Sequence, residues 1–169
     1  MPRQFLKRVL PGPEFFERHP LPFNLTCHLR DTRLWHFGRR SVSRGAGMGV
    51  FIALIPVPFQ MVIVVVVAII LRFNLPVAFF VVFITNPLTM GPVYYLTYRL
   101  GTWLLGMPGI PRPEEITFDW FFDLLEVIWL PLYLGSLVTG VVAGSISLLL
   151  IDFLWAVYIS RKRRRRQPP

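Results

Sequence analysis

Two long uncharged runs, each interrupted by proline near its middle, limit what this chain can fold into. Gly45 to Leu71 contains no charged residue, and its run is broken at Pro56 and Pro58. Leu75 to Tyr98 is likewise uncharged and is broken at Pro87 within the turn Thr85-Asn86-Pro87-Leu88-Thr89. A helix needs about 20 apolar residues to cross the hydrocarbon core of a bilayer, so either run is long enough. Proline removes a backbone donor and frees a carbonyl, and Asn-Pro is a turn signal. Backbone broken at membrane depth survives only where protein buries it or water reaches it. The pattern predicts an all-α membrane protein with a polar locus inside: two proline-broken, re-entrant segments and a C-terminal transmembrane helix.

Composition agrees. Of 169 residues, 54% are hydrophobic, and the mean hydropathy is +0.54, beyond an ordinary soluble domain. The net charge of +9 gathers at the flanks of the apolar runs, which favours anionic headgroups over nucleic acid as the partner. The one cysteine, Cys27, excludes an internal disulfide and a cysteine metal cage. With Asp31 the sole carboxylate near His28 and His36, no metal site and no cofactor are expected. Met1 to Asn24 has no continuous apolar core of the kind a cleavable signal needs.

In chain order, residues 1–43 form a cytoplasmic lead-in, with Asn24 to Ser43 read as a basic interfacial helix. Residues 44–160 form the membrane domain. Its broken segments occupy 44–72 and 75–106, an interfacial amphipathic helix 114–126, and the transmembrane helix 127–160. Residues 161–169 are a basic cytoplasmic tail. Gly45 and Gly49, and again Gly140 and Gly144, stand four apart, the spacing that lets membrane helices approach closely. The same interval separates Gly45 from Pro56 and Pro76 from Pro87, and Arg72 and Arg99 close the two units, a weak internal repeat. Basic clusters at both ends place both termini inside, so the number of crossings is even.

The candidate ligand-binding residues are Gln60, Arg72, Asn74, Asn86, Thr89 and Arg99. Gln60 is the strongly polar side chain of the first run and must find partners. Asn86 with Pro87 begins a helix whose free amides suit an anion. No acid occurs between Thr32 and Pro113, which disfavours a cation pathway. Asp152, inside the last run, is expected in an ion pair with Arg72 or Arg99. There is no metalloprotease pattern, no nucleophile elbow and no close pair of acids in the apolar core, so no enzyme is expected.

Several of these residues carry a family resemblance. From Arg40 to about Gly106 the chain resembles the bacterial domain-of-unknown-function family 2062, through Gly45 and Gly49, Pro56 to Gln60, Arg72 to Pro76, Thr85 to Thr89, Pro92, Tyr94, Tyr98 and Gly101. The resemblance implies a small bacterial inner-membrane protein, which the apolar runs and the basic ends make multi-pass. Some relatives carry an attached glycosyltransferase domain, for which this sequence shows no counterpart. The leading expectation is a carrier or facilitator for an anionic solute or phosphorylated lipid. The alternative is a non-catalytic structural protein that binds itself or a membrane partner linked to envelope synthesis.

Overall fold

The computed structural model describes residues 31–108 and 118–164, the side chains of the last helix over 127–161. The lead-in as far as Arg30, with Cys27 and His28, most of the 109–126 stretch and the end of the basic tail lie outside the described residues. Five helices make up the described fold: α1 (Arg39–Leu54), α2 (Gln60–Leu71), α3 (Leu75–Val82), α4 (Pro87–Leu105) and α5 (Phe118–Arg164).

Prolines and asparagines set the boundaries. Ile55, held extended before Pro56, ends α1, and Phe59 in the left-handed region precedes α2. Arg72, also left-handed, ends α2 and donates its N–H to the Ala68 carbonyl. The Asn74 side chain caps α3 by accepting from the Val77 N–H at 3.0 Å, with Pro76 in the first turn. A capping box starts α4, Asn86 accepting from the Leu88 and Thr89 amides while Thr89 accepts from the Asn86 N–H. Gly106, at φ 62°, ends it.

Two expectations need correction here. The basic stretch before Gly45 is no separate surface helix in its described part: a turn spans Thr32–Trp35, and Arg39 already opens α1. Nor do an interfacial helix at 114–126 and a span at 127–160 stand apart. One helix runs from Phe118 to Arg164 through Pro131. Pro131 is fully buried, and its backbone packs closely on Gly101 of α4.

Close backbone approach at glycine holds the helices together. A Cβ on Gly45 would stand 2.6 Å from the Asn74 carbonyl oxygen, and one on Gly49 2.8 Å from that of Ala78. Both glycines therefore seat α3 parallel to α1. Gly47 meets Gly144, and Gly140 meets Phe51, so α5 runs antiparallel to α1. Gly101 lies on the Pro131 backbone and Gly135 on the Thr97 carbonyl, which sets α5 antiparallel to α4 as well. Such contacts matter because lipid supplies no hydrophobic drive between helices. A small core of Leu34, Ile52, Val65, Phe73, Leu75 and Phe79 fills the space between α1, α2 and α3.

The outside is apolar. Val127–Arg161 of α5 is long and apolar enough to cross a membrane, and only 11% of its most apolar window is buried. Leu149, Phe153 and Leu154 of α5 point outward. A face of this kind needs lipid or a partner against it. The α3–α4 pair, bent by 83° at its break, is apolar enough to count as a second span.

Candidate functional site

Breaking α1 at Pro56 and Pro58 leaves the carbonyls of Ala53, Ile55 and Pro56 without their helical donors. Each finds a side chain instead. Gln60, first residue of α2, donates its amide to the Ile55 carbonyl at 2.7 Å and to that of Ala53 at 3.4 Å. Thr85, in the break between α3 and α4, donates its hydroxyl to the Ala53 carbonyl at 2.9 Å. Tyr133 of α5 donates to the Pro56 carbonyl at 2.7 Å. The Gln60 amide also reaches the Tyr94 hydroxyl of α4 at 3.3 Å, and its oxygen accepts from Thr85 at 3.4 Å. Both breaks therefore meet at one polar cluster, which all five helices and the connections between them help to build.

The second break is closed in the same way. Thr89 donates to the Ile84 carbonyl at 2.6 Å, and the Asn86 amide donates to that of Phe83 at 3.4 Å. The amides expected to be free for an anion at the start of α4 are not free, because the Asn86 side chain occupies those of Leu88 and Thr89. Sequence reasoning missed that the capping box consumes the donors it exposes.

The six candidate residues separate into three places. Gln60, Asn86 and Thr89 lie at the breaks. Arg72 and Asn74 lie at the other end of α2, about 18 Å away for a 12-residue helix. Asn74 is fully buried and structural: it donates to the His36 carbonyl at 3.1 Å, and its N–H meets the Ser41 carbonyl at 3.2 Å. Arg72 is exposed, and Arg99, exposed on α4, donates to Tyr95 at 3.3 Å.

Asp152 pairs with neither Arg72 nor Arg99. Its carboxylate takes a two-pronged contact from Arg39, Nε to Oδ1 at 2.6 Å and Nη2 to Oδ2 at 2.5 Å. The cause is the antiparallel seat of α5 on α1, which carries residue 152 to the start of α1. Tyr133 and Thr85 also bond into the cluster, and neither was among the candidate ligand-binding residues. Thr85 precedes Asn-Pro and so had a local signal, while nothing near Tyr133 marks the contact it makes 77 positions away.

The repeat is half visible. α1 and α3 lie parallel and each leads into a break, but α2 folds back onto α3 whereas α4 departs at 83°. Among the described residues no three His, Cys, Asp or Glu side chains come together as metal ligands.

No curated protein and no solved structure matches the chain. A family model described as an uncharacterized protein conserved in bacteria (DUF2062) matches residues 25–164. That match covers the polar cluster, both breaks and all of α1 to α5, so the chain belongs to this bacterial family.

Proposed function

We propose that the chain is a small, non-catalytic facilitator of the bacterial inner membrane, which passes an anionic solute or phosphorylated lipid by rearranging its two helix breaks. The observation that carries this reading is the meeting of both breaks at Gln60, Thr85, Tyr94 and Tyr133. A broken backbone inside an apolar protein is costly, and its donors can exchange internal partners for those of a ligand.

The topology supports the reading. The α1–α2 hairpin returns to its starting end, where the Asn74 N–H meets the Ser41 carbonyl, and its helices of 16 and 12 residues are each too short to cross. It is then re-entrant. The α3–α4 pair and α5 make two crossings, the even number that basic ends require. Arg39, Arg40, Arg44 and Arg72 sit at the end where α5 approaches Arg161, and the acids of Glu114 to Glu126 precede the span. Both termini are then cytoplasmic.

The test is flux in liposomes holding the purified chain, with phosphorylated lipids and small anions as cargo. Tyr133→Phe and Thr85→Val loosen the cluster and are expected to change the flux severalfold while the fold remains. Flux equal to empty liposomes for every cargo contradicts the proposal. One observation favours a structural, partner-binding role instead: the carbonyls of Ala53, Ile55 and Pro56 are all met by the chain's own side chains. Its glycine faces are occupied by the chain's own helices, so a partner would dock on the outward face of α5. A stoichiometric co-purifying membrane protein, lost on Phe153→Ala, supports that alternative.

A further inference from the structure

We infer that the groove between α1 and α5 holds one acyl chain of an anionic phospholipid, its phosphate resting on Arg40 and Arg44. The groove encloses about 270 Å³ and is lined by Met48, Phe51, Val141, Ser145 and Leu148 over a floor of Gly47 and Gly144. It is almost wholly apolar, so its occupant there is hydrocarbon.

Charge at one end selects the head. Arg40, Arg44, Gly47, Met48 and Phe51 recur at helical spacing on one face of α1, so both arginines continue the groove toward the start of the helix. Arg44 stands one turn from Met48 and about 10 Å along the helix axis from Phe51. Both arginines are exposed. Among the described residues Asp152 is the carboxylate held by this end of α1: Arg39 occupies it and Arg40 lies within reach of its charge. Among the described residues, the charges of Arg40 and Arg44 have no salt-bridge partner at the mouth of this apolar groove. A phosphodiester with a fatty tail matches both halves, since guanidinium recognises phosphate oxygens in pairs, and basic pockets beside membrane helices take anionic headgroups. The inference rests on the chain lying in a bilayer, and not on its being a carrier.

The experiment is native mass spectrometry of the full chain in a neutral detergent, titrated with phosphatidylglycerol or phosphatidylcholine of identical tails. One phosphatidylglycerol per chain is expected, retained about thirtyfold over phosphatidylcholine, as two basic side chains at the headgroup warrant. Arg40→Gln with Arg44→Gln brings the two lipids to parity, and Ser145→Phe, which fills the groove, removes both. Excess inorganic phosphate leaves the retained lipid in place. Equal retention of both lipids by the unaltered chain overturns the inference, as does retention untouched by either variant. Should a variant fail to fold, a phosphatidylglycerol with a diazirine in its tail is applied to the unaltered chain. Labelling concentrated at Met48, Val141 and Ser145 supports the site; labelling spread evenly over α4 and α5 overturns it. Lipid retention without flux leaves this site standing and removes the carrier; flux without lipid preference does the reverse.

Discussion

The hydroxyl of Thr85 donates to the carbonyl of Ala53 at 2.9 Å, joining the break that follows α3 to the break that follows α1. Neither residue is charged and 32 positions separate them, yet this bond and those of Gln60 convert two interruptions of helix into one structure.

Gln60 is the hub of that structure. Gln60→Leu keeps the volume but leaves the Ile55 carbonyl without its side-chain donor and removes the link to Tyr94. The Ile55 carbonyl keeps the Val57 N–H at 2.8 Å, so the expected loss is about 0.5–1.5 kcal/mol, the net worth of a hydrogen bond. Thermal unfolding in detergent micelles measures it, and an unchanged midpoint contradicts the hub role.

Glycine positions separate sharply in what they tolerate. A Cβ on Gly101 or Gly135 would overlap backbone of the facing helix, so Gly101→Ala and Gly135→Ala push α4 and α5 apart. Each is expected to cost roughly 2 kcal/mol or more, in the range for overpacking a close contact. Gly91 has nothing within 4 Å, and Gly91→Ala is expected to stabilise α4 by about 0.5–1 kcal/mol. Melting temperatures of the three variants, compared side by side, check the contrast.

Ser136 is fully buried on α5, and its hydroxyl has no hydrogen-bond partner among the described residues. Ser136→Ala removes the orphaned group and is expected to raise stability by about 1 kcal/mol. A fall in the melting temperature would show that the hydroxyl serves the fold.

The Arg39–Asp152 pair is half exposed, at 46% and 31%, so its coupling is expected to be small, about 1 kcal/mol or less. A double-mutant cycle with Arg39→Gln and Asp152→Asn measures it, and the coupling should shrink further in high salt.

How much of this was legible depended on whether the cause was local. Proline reports on its own backbone, so the breaks at Pro56–Pro58 and Pro87 could be placed from the chain alone. Asn86 could be placed as a cap for the same reason, whereas Asn74, read as a ligand-binding candidate, turned out to cap α3. The four-residue glycine intervals announced close approach, but not against what, since Gly45 meets α3 while Gly144 meets α1. The partner of Asp152 was out of reach: Arg39 is 113 positions away, and only the path of α5 brings the two together. Continuity through Pro131 was equally hidden, because proline is a local break signal and the helix nonetheless runs on through it, packed on α4 at Gly101. Of the candidate site, the breaks and Gln60 could be read, while Tyr133 and the self-satisfied hydrogen bonding could not.

The central claim is that the two breaks lie within the bilayer, and the residues flanking them test it most directly. Phe59 and Leu88 are 80% and 87% exposed on the protein, so each faces either lipid or water. Cysteine placed at 59 or 88 in a Cys27→Ser background, with Arg72→Cys as the aqueous reference, is treated with a membrane-impermeant maleimide in intact and opened vesicles. The account predicts rapid labelling at 72 from one side and almost none at 59 or 88 from either side until detergent is added. Labelling at 59 and 88 as fast as at 72 would contradict it, because the breaks would then be ordinary turns in water.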